Sequence, residues 1–142
     1  MHSSFSKKLD VPFASQIPHR LVPGSRVWIR GAMLNDAERF TIDFQCGPVA
    51  EKDDGAFHMS MRPGEGIVRN TFENDEWGRE ERTSSFPFVA GRPYDIEIEV
   101  HSKKFSVRIN GEHFFDFTHR IPMERISYIL IAGNTTLHYV GY

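Results

Sequence analysis

Strict alternation of apolar and polar residues is the feature that most constrains this chain. It runs through Phe40-Thr41-Ile42-Asp43-Phe44, through Tyr94-Asp95-Ile96-Glu97-Ile98-Glu99-Val100 and through Phe105-Ser106-Val107-Arg108-Ile109. A period of two puts the apolar members on one face of a strand and the charged members on the other. A helix would scatter the same charges around its circumference, and no long segment repeats near 3.6 residues. Turn residues punctuate the runs: Pro23-Gly24, Gly47-Pro48, Asp54-Gly55, Pro63-Gly64, Gly91 with Pro93, and Asn110-Gly111. Asn110-Gly111 predicts a type I′ hairpin joining 105–109 to 112–117, because both residues tolerate positive φ. Many short strands with one apolar face each bury those faces as two antiparallel sheets packed together. The expected class is therefore all-β, a two-sheet sandwich. No linker, low-complexity stretch or internal repeat divides the chain.

Composition sets what such a sandwich can be. The chain has 142 residues, 39% of them hydrophobic, with 12 Phe, which is enough to fill one core without a disulfide or metal staple. Its 17 basic residues stand against 19 acidic ones, for a net charge of −2, so there is no electrostatic case for nucleic acid. The single cysteine, Cys46, has no intramolecular partner and fits a reducing compartment. The start, Met1–Asp10, is polar and lacks the apolar stretch of a signal peptide. No run approaches the roughly 18 apolar residues that span a bilayer. The expectation is a cytoplasmic protein without membrane insertion. The histidines are scattered without zinc-like spacing, so neither a metal site nor a cofactor is expected.

One segment carries chemistry. On a strand through Phe57-His58-Met59-Ser60-Met61-Arg62, the residues Phe57, Met59 and Met61 face the core, and His58, Ser60 and Arg62 form a polar row on the other side. The next strand, through Ile67-Val68-Arg69-Asn70-Thr71-Phe72, puts Val68 and Asn70 on one face, and the turn Pro63-Gly64-Glu65-Gly66 can bring Asn70 beside that row. Trp77 then sits among polar residues in Asn74-Asp75-Glu76-Trp77-Gly78-Arg79, a poor place to bury an indole. Glu80 and Arg82 alternate onto one face, and Glu80 is expected between Arg62 and Arg82, an acid held ionised by two cations. Such a set suits a sugar. Arg and Glu supply planar, pre-oriented donors and acceptors for hydroxyls, with His and Asn at the margin, and an exposed Trp offers a flat platform to a patch of C–H groups.

The run Trp77-Gly78-x-Glu80-x-Arg82, after Val68-x-Asn70 and His58-x-Ser60-x-Arg62, resembles the galectin carbohydrate-recognition domain. The likeness continues through Ser85-Phe86-Pro87-Phe88, Gly91, Phe105-x-Val107, Ile109-Asn110-Gly111, Phe117-x-His119-Arg120-x-Pro122 and Ile129-x-Ile131-x-Gly133. The resemblance assigns 1–14 to an N-terminal extension with the first edge segment and 15–142 to the recognition domain. It implies a jelly-roll sandwich that binds β-galactosides reversibly in a groove on its concave sheet. It further implies that His58 and Arg62 bond the axial O4 of galactose, that Asn70 and Glu80 bond O6, that Glu80 and Arg82 reach the neighbouring sugar, and that Trp77 stacks under the ring. Arg39, Thr41 and Asp43 are the outward members of their strand, and in the family that strand borders the groove where extended glycans are read. The resemblance also implies synthesis in the cytosol followed by non-classical secretion to reach glycoproteins or glycolipids.

The chain departs from the pattern where Ser60 replaces the usual Asn and Met61 the usual Pro. Ser offers one hydroxyl on a shorter arm, so one hydrogen bond beside the O4 pocket is lost or bridged by water. That change is worth about 0.5–1.5 kcal/mol, a several-fold loss in affinity rather than abolition. Met61 belongs to the core-facing set and is read as structural. An enzyme is not expected: adjacent Glu80 and Glu81 face opposite ways and cannot form a glycosidase pair, and cations around Glu80 keep it ionised. The alternative is a degenerate galectin-fold module that docks a protein with little or no lactose binding. One site per chain means that crosslinking two glycans requires a homodimer. His119-Arg120 is expected to support the fold, and Cys46 to be an ordinary thiol.

Overall fold

The computed structural model describes residues 8–142, so the polar start read over Met1–Asp10 lies outside the described residues up to position 7. Twelve strands follow in order: β1 (Phe13–Gln16), β2 (Arg26–Met33), β3 (Phe40–Gln45), β4 (Gly55–Arg62), β5 (Gly66–Glu73), β6 (Glu76–Trp77), β7 (Glu81–Thr83), β8 (Pro93–Val100), β9 (Lys104–Ile109), β10 (Glu112–Thr118), β11 (Tyr128–Gly133) and β12 (Thr135–Gly141). One short 3-10 turn, Met123–Arg125, precedes β11. The strands form two antiparallel sheets, as the alternation predicts. One runs β1-β11-β3-β4-β5, with β6 and β7 both paired to β5, and the other runs β10-β9-β8-β2-β12. The first strand straddles residue 15, and Leu9 already bridges to Leu137.

The apolar members of each alternating run meet between the sheets. Phe40, Phe44, Phe57, Phe105 and Phe117 are fully buried, and Phe57 stacks on both Phe105 and Phe117 with ring centroids 4.6 and 4.7 Å away. Rings from the two sheets thus interdigitate as a sandwich core requires. Met59 and Met61 are buried in the same layer, so Met61 is core filling, as its position on the strand predicts. Two hairpins owe their shape to turn chemistry. Asn110 and Gly111 have φ of 51° and 85°, which makes the type I′ turn between β9 and β10. Asn74 and Asp75, with φ of 54° and 65°, turn β5 back into β6 and so place Trp77 opposite Phe72.

Strict alternation does not mark β2 or β12. Val27 and Ile29 alternate with Trp28 and Arg30 on β2, but Gly31 interrupts the pattern. A side chain at Gly31 would run into the Thr136 carbonyl, so the residue that weakens the strand signal is the one the sheet needs there.

Candidate functional site

Strand register assembles the site on the outer face of the larger sheet. Thr41 lies opposite Ser60, Ser60 opposite Val68, and Val68 opposite Arg82, forming one row across four strands. Asp43, His58 and Asn70 form the adjacent row. Gly55, Phe72 and Trp77 form the next. A groove of about 800 Å³ runs over these rows. Of the residues predicted from sequence, Arg39, Thr41, Asp43, His58, Ser60, Arg62, Val68, Asn70, Trp77 and Glu80 line it, and Arg82 stands outside the lining.

The side chains are held by a network that begins below the groove. Asn70 is buried, and its Oδ1 accepts from the Thr71 backbone N–H at 2.7 Å and from Arg120 Nη1 at 3.1 Å, while Nδ2 donates to the Gly78 carbonyl at 2.9 Å. With both oxygen lone pairs engaged, the remaining Nδ2 hydrogen is the group left to offer a ligand. Arg120 also donates to Thr71 Oγ1, to the Arg79 carbonyl at 2.7 Å and to Glu81 Oε2 at 2.8 Å. It therefore ties β5, the segment after Trp77 and β7 together. Gly78 makes this reach feasible, because a Cβ there would sit 3.0–3.1 Å from Arg120 Nη1, Thr71 Oγ1 and Asn70 Oδ1. The expectation for Arg120 is support of the fold alone; the structure extends that support to the groove-lining amide of Asn70.

The charges pair differently from the sequence expectation. Glu80 Oε1 accepts from Arg82 Nε at 3.1 Å and Nη2 at 2.9 Å, so Glu80 and Arg82 form a fork at the groove edge. Arg62 is not on the other side of Glu80. Its Nε donates to Ser60 Oγ at 3.0 Å, and the carboxylate that reaches both cations is Glu65, 3.9 Å from Arg62 and 4.0 Å from Arg82. The reason is local: Glu65 sits on the tight turn between β4 and β5, next to both strand ends. The turn residue Glu65 carries no signal beyond its place in Pro63-Gly64-Glu65-Gly66. Ser60 is itself 0% exposed, so its hydroxyl lies beneath Arg62 and steers the guanidinium back along β4 toward His58.

Trp77 is 48% exposed, with its ring centroid 4.8 Å from that of His58 and 5.0 Å from that of Phe72. A half-exposed indole fixed by two neighbours is a platform, and the donors and acceptors of Arg62, His58, Asn70 and Glu80 line the same groove. At the other end of the groove, Gln45, Ala50, Glu51, Leu130 and Ala132 add lining that sequence reading missed. Leu130 and Ala132 were within reach, since they are the off-phase partners of Ile129 and Ile131. Ala50 and Glu51 belong to a loop whose shape depends on Asp53 accepting from the Val49 N–H at 2.7 Å, which no pattern announces. Beside this loop, the Arg125 hydrogen bond holds the Asp54 carboxyl below its usual range, assisted by the Asn74 backbone N–H. Burial pushes the Cys46 thiol up, as befits an ordinary packed thiol. Among the described residues no three His, Cys, Asp or Glu side chains gather as metal ligands.

The family model described as galactoside-binding lectin matches residues 12–142. The chain belongs to this family. Galectin-8 of Rattus norvegicus is 39% identical over 93% of the chain and 43% of its own length. A 32 kDa beta-galactoside-binding lectin of Caenorhabditis elegans is 34% identical over 100% of the chain and 51% of its own length. A solved variant of human galectin-16 superposes with a TM-score of 0.87 at 30% identity, covering 94% of this chain and 96% of that one. The chain thus spans about half the length of the curated relatives it matches. The jelly-roll galectin sandwich expected from the motifs is the fold observed, and galectins are carbohydrate-binding, non-enzymatic proteins.

Proposed function

We propose that this galectin domain binds β-galactosides reversibly in the groove over β3, β4, β5 and β6, without catalysis. One observation carries the reading: His58, Arg62, Asn70 and Glu80 converge beside a half-exposed Trp77 in a single groove. The axial hydroxyl of galactose gives Arg62 and His58 a shared partner. An equatorial hydroxyl at that carbon leaves both polar groups unpaired in a partly dry site, which is costly. Arg39, Thr41 and Asp43 lie along the same groove and extend it for longer glycans. Calorimetry with lactose tests the reading, with maltose as the control lacking galactose. Binding of lactose and not maltose is expected. No binding by the folded protein at millimolar lactose overturns it in favour of a protein-docking module on the galectin fold.

The same proposal includes a weakened grip at O4. Ser60 gives its oxygen to Arg62 and is wholly covered, so it supports the arginine and contributes no direct contact. The Ser60→Asn variant is expected to gain several-fold in lactose affinity, the worth of one added hydrogen bond of about 0.5–1.5 kcal/mol. Unchanged affinity sinks this part. Cytosolic synthesis with non-classical secretion agrees with the lone, packed Cys46 thiol, and thiol labelling of native protein checks that it is unpaired. A homodimer would join two grooves for crosslinking, and sedimentation velocity decides it.

A further inference from the structure

We propose that Asp54, clamped by Arg125, is a positioning residue of the groove: it pins the hairpin that carries Trp77 to the loop that supplies Ala50 and Glu51. The proposal deepens the lectin reading and rests on it for the identity of the ligand. The platform needs such a pin. β6 has two residues, both exposed, and its ladder to β5 consists of Glu73 opposite Glu76 and Phe72 opposite Trp77. A hairpin that short is marginal by itself. Asn74 and Asp75 form its two-residue turn with positive φ at both, and the N–H of the first residue in such a turn has no partner within its own hairpin. Asp54 Oδ1 accepts that Asn74 N–H at 3.1 Å. Its Oδ2 accepts from Arg125 Nη2 at 2.6 Å, and Arg125 Nη1 stands 3.8 Å from Glu73 Oε2.

The clamp joins three segments distant in sequence. Asp54 closes the loop after β3, where its carbonyl accepts from the Cys46 N–H at 2.8 Å, and that loop brings Ala50 and Glu51 to the groove. Asn74 begins the turn that sets Trp77 opposite Phe72. Arg125 comes from the short 3-10 turn before β11. Neither Asp54 nor Arg125 lines the groove, so their effect on a ligand passes through the loop and the hairpin they hold. The Asp54 side chain is 19% exposed. The Arg125 hydrogen bond, with help from the Asn74 N–H, holds its carboxyl below the usual range, so both oxygens act as acceptors at neutral pH. A sheltered, charge-assisted bond of this kind is stronger than the solvated pairs of the smaller sheet.

Three readouts on the intact chain test this. Amide exchange followed by NMR is expected to show the Asn74 N–H protected in the parent and about tenfold faster in Asp54→Ala, the size of one hydrogen bond. Trp28→Phe leaves Trp77 as the sole tryptophan, and in that background the fluorescence anisotropy of the indole is expected to fall in Asp54→Ala and in Arg125→Met. Lactose affinity by calorimetry is expected to fall about three- to tenfold in both variants and to recover in Arg125→Lys, which keeps a cation beside Asp54. Asp116→Ala, which removes a paired carboxylate from the other sheet, is expected to leave both the indole and the affinity unchanged. An Asn74 amide that exchanges freely in the parent overturns the proposal. So does an indole or a lactose affinity unmoved by both variants, or an Asp116→Ala loss equal to that of Asp54→Ala. Where Asp54→Ala fails to fold, Arg125→Met at its exposed position decides by anisotropy and calorimetry. If the parent binds no lactose at all, the lectin reading fails, while exchange and anisotropy alone decide the role of Asp54.

Discussion

The two sheets each carry a charged outer face, built by the same alternation, yet the faces behave differently. On the smaller sheet the charges neutralise one another across neighbouring strands. Arg26 reaches Glu97 at 3.1 Å and Glu99 at 2.9 Å, Arg30 reaches Asp95 at 3.4 Å, and Asp116 holds both Lys104 at 3.0 Å and His113 at 2.9 Å. These pairs are largely solvated and individually worth about 0–1 kcal/mol. On the larger sheet the groove's polar groups are instead held on one side by partly or wholly covered partners. Arg120 fixes Asn70, Ser60 fixes Arg62 and Asp43 fixes His58, and each anchored group keeps a free donor or acceptor toward the groove. A face of mutually satisfied charges is a solvated surface. A face whose polar groups are satisfied only on one side keeps donors and acceptors to offer, which is what the proposed lectin function needs.

The contrast can be broken most directly at Trp77. Replacing it with Ala should reduce lactose affinity by about ten- to a hundred-fold, in line with roughly 1.5–3 kcal/mol for a large apolar contact. The melting temperature should barely move, because the indole is half exposed. A variant that binds as well as the parent would place the ligand elsewhere. Arg120→Met attacks the anchoring from below, leaving the Asn70 oxygen and Glu81 short of a partner. It is expected to cost about 2–3 kcal/mol of stability by denaturant titration and to weaken lactose binding at the same time. If stability falls and affinity does not, Arg120 supports the fold alone.

Acid sharpens the comparison further. The His113 hydrogen bond, with help from Lys104, brings the Asp116 carboxyl down to about 2. Asp54, beside the groove loop, is also lowered, chiefly by Arg125. Because both are depressed in the folded state, their stabilisation is complete above the ordinary carboxylate range of about 4 and is lost as pH falls below it. Melting temperature should therefore decline below about pH 4, and Asp116→Asn should flatten part of that decline. The smallest effect is expected for Arg26→Met on the solvated face: a stability change within about 0.5 kcal/mol and no change in lactose affinity. A loss of lactose binding there would show that the two faces are coupled.

Much of this was legible before any coordinates. The period-two runs of 40–44, 94–100 and 105–109 are strands, Asn110-Gly111 is the hairpin turn, and the sugar-suited set from His58 to Glu80 shares one groove. What was not legible has physical causes. The Gly31 interruption hides β2, because the need for a bare backbone arises only from Thr136 on another strand. Glu65 rather than Glu80 lies between Arg62 and Arg82, because the reach of long side chains depends on where a turn sets them down. Arg120 reads as a structural residue because its partners are 39 to 50 positions away.

By itself the sequence determined the all-β sandwich, the core of Phe and Met, and the residue types on each outward face, because period-two alternation is a local property of the chain. Register decided the rest. Only the pairing of β3 with β4 puts Asp43 on His58, and only the folded path after β10 brings Arg120 under Asn70. Which charges cancel and which stay available is a matter of distances between strands, and those distances exist only once the sheets have formed.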